Sequence, residues 1–97
     1  MRLKSEHANF IKQAAKDAFG EDVKVYLFGS RVDDRKKGGD IDLYIETTMK
    51  KGLYNKKIKM LGSLYKRFGE QKIDVILNNF TSTMYVYKVA KANGILL

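Results

Sequence analysis

The sequence predicts an α/β fold, with one small mixed sheet of three strands and helices packed on one face. Two observations carry this reading. Residues 40–46 and 72–78 each alternate apolar and polar side chains with a period of two, and residues 50–68 between them return to the helical period. A strand, a helix and a second strand in that order form a crossover, which makes the two strands parallel neighbours.

Residues 3–19 predict an opening helix, because Leu3, Phe10, Ile11, Ala14, Ala15, Ala18 and Phe19 recur at helical spacing and Gly20 is placed to end it. Residues 23–28 are rich in β-branched and aromatic side chains and predict a strand, with Val23, Val25 and Leu27 on one face. Residues 33–39 are polar, contain Gly38-Gly39 and predict a turn, short enough for the first two strands to pair antiparallel. In residues 40–46, Ile41, Leu43 and Ile45 point one way, and Asp40, Asp42, Tyr44 and Glu46 the other. In the helix that follows, Tyr54, Ile58, Leu61, Tyr65 and Phe68 carry the apolar period and lysines the opposite side. In residues 72–78, Ile73, Val75 and Leu77 share one face, and Asp74, Ile76 and Asn78 the other. Residues 82–93 predict a last short helix with Val86, Val89 and Ala90, capped by Gly94, after which Ile95, Leu96 and Leu97 fold back onto the core.

The 97 residues make one domain, 1–97, with enough apolar content (44%) for a single small core. Nineteen Lys and Arg against eleven Asp and Glu give a net charge of +8, which attracts polyanions or an acidic partner surface. The acids are unevenly spread: Asp33, Asp34, Asp40, Asp42 and Glu46 crowd one stretch, and such crowding asks for a cation or for open solvent. The absence of cysteine excludes disulfides and thiol chemistry, and a single histidine, His7, excludes multi-histidine metal sites and His-dependent triads. His7 itself reads as an ordinary helix residue. No signal peptide is visible and no apolar run approaches the ~18 residues that span a bilayer, so a cytoplasmic chain is expected.

Asp40 and Asp42 are two residues apart and project from one side of a strand, where Asp74 can join them if the third strand lies beside the second. Three converging carboxylates raise one another's pKa unless a cation is present, and they form a hard-oxygen site suited to Mg²⁺. Upstream, Gly29-Ser30-Arg31 follows the first strand. Glycine allows close approach by a phosphate, Ser30 offers a hydroxyl and an N–H, and Arg31 adds charge.

The run Phe28-Gly29-Ser30-Arg31, residues 31–39 as spacer, and then Asp40-Ile41-Asp42-Leu43 resembles the Gly-Ser…Asp-x-Asp motif of the DNA polymerase β-like nucleotidyltransferase superfamily, above all its minimal members. Residues 72–76, Lys-Ile-Asp-Val-Ile, look like the later strand bearing a third carboxylate, and residues 92–97 look like the usual ending. Gly39 departs from the pattern, standing where many relatives have Ser, and is compatible with the turn. The resemblance implies a nucleotidyltransferase fold and Mg²⁺-dependent transfer of a nucleotide from a triphosphate, ATP for choice, to a hydroxyl, with release of pyrophosphate. It implies that Asp40 and Asp42 bridge two ions, that Asp74 contacts one of them and takes the acceptor proton, and that Gly29, Ser30 and Arg31 hold phosphates. It also implies a partner, because the minimal members look like the antitoxin halves of two-gene pairs, in which a tyrosine of a HEPN-type toxin is adenylylated.

Two rival readings stand beside this one. The same fold could act as a non-catalytic antitoxin that masks its partner by contact. More weakly, the chain could bind nucleic acid through Lys50, Lys51, Lys56, Lys57, Lys59, Lys66 and Arg67, a group that also reads as a solvated helix face or as an attractor of an acidic partner. Tyr85 and Tyr87, flanking Val86, read as packing residues or as incidental exposure ahead of a docking role. Homo-oligomerisation is left open by the sequence.

Overall fold

A computed structural model of the chain describes residues 5–28, 41–69, 72–81 and 84–97. The elements are α1 (Ser5–Phe19), β1 (Lys24–Phe28), β2 (Ile41–Glu46), α2 (Leu53–Phe68), β3 (Ile73–Asn78), α3 (Tyr85–Asn93) and β4 (Ile95–Leu96). The order matches the predicted one, and the α/β class holds. The predicted turn over residues 33–39 and the predicted start of the first helix at Leu3 lie outside the described residues.

Among the described residues the sheet has four strands rather than three, in the order β3-β2-β1-β4. β1 and β2 are antiparallel, and β2 and β3 are parallel. The extra strand is the tail expected to fold back: Ile95 and Leu96 pair antiparallel with Leu27 and Tyr26, and the Leu97 N–H donates to the Val25 carbonyl at 2.8 Å. A two-residue strand leaves no alternation to read in a sequence, which is why the tail predicts burial without predicting pairing.

The core lies between the sheet and two helices. Val25, Leu27, Ile41, Leu43, Ile45, Ile73 and Val75 of the strands meet Ile11, Ala15, Ala18 and Phe19 of α1 and Met60 and Leu64 of α2, all at most 8% exposed. Gly20 ends α1 as expected, with φ of 105° and its N–H on the Lys16 carbonyl, a backbone that L side chains rarely adopt.

Two placements differ from the expectations. α3 lies across the other face of the sheet: Tyr87 packs on Tyr44 with ring centroids 5.9 Å apart, and Lys91 reaches Glu46 and the Tyr26 ring. Its Ala90 is buried, whereas Val86 and Val89 remain partly exposed. The helices are therefore divided between the two faces, because Tyr26 and Tyr44 make the second face apolar enough to be covered. In α2, the buried residues are Met60 and Leu64, and Tyr54, Ile58 and Tyr65 are exposed. Both sets follow the helical period, offset around the axis, so periodicity alone did not choose between them.

Candidate active site

Asp42 is the register partner of Asp74. Each acid stands between buried neighbours on its own strand, Ile41 and Leu43 for one and Ile73 and Val75 for the other. Strand alternation therefore turns both carboxylates to the face away from the α1–α2 core. The register is held at both ends, by the Ile41 N–H on the Lys72 carbonyl (2.9 Å) and the Thr47 N–H on the Asn78 carbonyl (3.0 Å). A slip of one residue would bring the acids into the core, so burial of the apolar set excludes it.

Asp74 is half exposed, and its Oδ2 lies 3.8 Å from the Nζ of Lys72. With both side chains in water, this pair is weak and easily displaced. On the other side of β2, Phe28 is opposite Asp42. The last residue of β1, which precedes Gly29 in the sequence, thus ends beside the first of the two acids.

Of the predicted site residues, the structure brings Asp42 and Asp74 together. Asp40, Gly29, Ser30 and Arg31 lie outside the described residues. Among the described residues, no three His, Asp or Glu side chains gather into a metal cluster. The pair still fits a hard divalent cation. Two carboxylates at paired positions of strands about 4.8 Å apart offer oxygen donors alone, the donor set that Mg²⁺ prefers.

Farther along the same face is a set of residues that the sequence reading did not assemble. The Tyr44 hydroxyl donates to Glu46 Oε2 (2.8 Å) and accepts from Asn78 Nδ2 (2.9 Å). Glu46 also pairs with Lys91 of α3 at 3.3 Å, although its side chain is only 8% exposed. Asn78 Oδ1 accepts from the Phe80 N–H at 2.9 Å. Burial is the main reason that the Tyr44 pKa is raised above its ordinary value of 10.0. The Asn78 hydrogen bond opposes the rise and the Glu46 carboxylate adds to it. Tyr44, Glu46 and Asn78, with Tyr87, Lys88 and Lys91 of α3, line a cavity of about 280 Å³. The available signal was the register itself: Glu46 pairs with Asn78 four residues beyond Asp42 and Asp74.

The carboxylate-bearing parallel pair, with an antiparallel strand ending beside it, fits the fold that the motif implied. Curated proteins gave no match to the chain. A family model described as nucleotidyltransferase domain matches residues 7–97, nearly the whole sequence and both acids included. The chain belongs to the nucleotidyltransferase domain family and is a transferase of that general kind.

Proposed function

We propose that this protein transfers AMP from ATP to a hydroxyl group of another molecule. The juxtaposition of Asp42 and Asp74 is the observation that carries the reading, because nucleotidyl transfer needs oxygen ligands converging where phosphate charge builds up. Asp40, Asp42 and Asp74 would hold Mg²⁺, two ions in the full site. When bound, the metal neutralises phosphate charge and sharpens the acceptor oxygen as a nucleophile.

The chain's own residues supply the rest. Gly29, Ser30 and Arg31 grip the outer phosphates. The acceptor oxygen attacks the α-phosphorus, the bond to the bridging oxygen breaks, and pyrophosphate leaves. The acceptor proton passes to Asp74, whose half-exposed carboxylate is open to an incoming hydroxyl.

The acceptor we favour is a tyrosine of a helical HEPN-type partner, on the strength of the likeness to the minimal nucleotidyltransferases. The test is incubation of the protein with α-labelled ATP, Mg²⁺ and that partner. Label transfer and pyrophosphate release that vanish with Asp42→Ala support the reading. Neutralisation of the partner by Asp42→Ala without any label transfer would establish contact alone as the activity.

A further inference from the structure

α2 carries a second apolar face that nothing in the chain covers among the described residues. Met60 and Leu64 are buried against the sheet, while Tyr54, Ile58 and Tyr65 are 74%, 50% and 42% exposed. With the partly buried Leu61 between them, these residues recur at intervals of four, three and four. That is the spacing of a seam along which one helix receives another, as in a coiled coil. α1 does not occupy it. At 100° per residue the seam lies on the far side of α2 from Lys59 and Ser63, which line a shared cavity with Phe10, Ala14 and Asp17 of α1. Gly62 stands beside the seam, and a Cβ built there meets nothing within 4 Å, so a partner backbone can come close.

The charge around the seam selects the partner. α2 carries Lys56, Lys57, Lys59, Lys66 and Arg67 and no acidic residue. A second copy would set two such cationic helices side by side, in a chain of net charge +8. A lipid surface calls for a broad apolar face, and the broad face of α2 is already packed on the sheet, leaving a narrow strip.

We infer that the Tyr54–Ile58–Leu61–Tyr65 seam docks an acidic amphipathic helix of a partner protein. The surface is separate from the paired acids and stands whether or not the chain transfers a nucleotide.

The test uses the full chain and a fluorescent peptide of about three heptads, leucine at its a and d positions and glutamate at most others. Anisotropy should show saturable binding. The double variant Tyr54→Ser/Ile58→Ser should weaken it by at least about tenfold, the effect of losing buried anchors, with unchanged circular dichroism. Lys57→Glu/Lys66→Glu should weaken it comparably. Should the double variant misfold, Tyr54→Ser alone, at the most exposed position of the seam, decides the matter by the same loss. A scrambled peptide of equal composition that binds equally well would overturn the proposal in favour of charge alone. So would peptide affinity indifferent to the serine variants. Self-association of the free chain that the serine variants abolish, or tighter binding to phosphatidylserine vesicles than to the peptide, would assign the seam to another occupant.

Discussion

Asp42 and Asp74 stand side by side as partners of two parallel strands, on the sheet face opposite the core. Strand register fixes this relationship, so the site is as rigid as the sheet.

Under the proposed function, replacing Asp74 should remove chemistry without unfolding the protein. On that reading both acids hold the metal. Loss of a group behind a metal ligand costs about 10–100-fold and loss of a ligand at least as much, so Asp42→Asn and Asp74→Asn should each lower nucleotide transfer by at least about 10–100-fold. Among the described residues Asp74 pairs with exposed Lys72, so Asp74→Asn should change unfolding free energy by less than about 1 kcal/mol. Pyrophosphate release and urea titration of the same samples check both halves.

Tyr44 supplies the pH prediction. Its folded pKa is raised, chiefly by burial. The folded state therefore holds this proton where the unfolded chain has lost it. The associated stability is fully present below the ordinary tyrosine value of 10.0 and is lost as pH climbs from there through the raised folded value. Absorbance titration of the folded protein should show one tyrosine ionising above the ordinary value of 10.0, and Tyr44→Phe should remove that step. At neutral pH the same variant should cost about 1–3 kcal/mol, because Glu46 and Asn78 lose the hydroxyl they share.

The orientation of α2 can be tested through its two faces. Leu64 is fully buried, and Leu64→Ala should cost about 2–5 kcal/mol. Ile58 is half exposed, and Ile58→Ala should stay within about 1 kcal/mol. Denaturation midpoints decide this, since a larger loss for Ile58→Ala than for Leu64→Ala would mean that the helix is turned the other way.

These tests bear on what the sequence could and could not disclose. The strands were legible because alternation is a local property: Ile41, Leu43 and Ile45 had to share a side, which put Asp42 on the other, and the helical crossover made β2 and β3 parallel. Keeping both apolar sets in one core then put Asp74 on the same side as Asp42, whereas their direct pairing depends on a register that alternation leaves open in steps of two. α2 was harder, because its apolar residues form two adjoining strips and only the shape of the sheet beneath decides that Met60 and Leu64 go in. The Tyr44–Glu46–Asn78–Lys91 group was hidden for a different reason. Strand register aligns Glu46 with Asn78, but no spacing rule brings Lys91 of α3 to them. α3 was located but set on the wrong face, since Val86 and Val89 suggest burial to a periodicity argument, whereas the packing is made by Tyr87, Ala90 and Lys91.

Two glycines should respond oppositely to the same substitution. Gly94 ends α3 with φ of −93°, a conformation open to any residue, so its requirement is spatial rather than conformational. A Cβ there would sit 2.6 Å from the Ala90 carbonyl oxygen, 3.1 Å from Tyr26 Cβ and 3.3 Å from the Leu27 carbonyl oxygen. Two of those neighbours are backbone and cannot rotate away, so α3 and β4 must shift off β1. Gly94→Ala should cost about 1–3 kcal/mol, the usual penalty for overpacking. Gly62 lies inside α2 with open space where its Cβ would be. There alanine removes only the entropic cost of a mid-helix glycine, and Gly62→Ala should stabilise by roughly 0.5–1 kcal/mol. Thermal melts of the two variants should therefore move in opposite directions. A Gly94→Ala protein as stable as the parent would mean that the helix–strand contact at Tyr26 is looser than described.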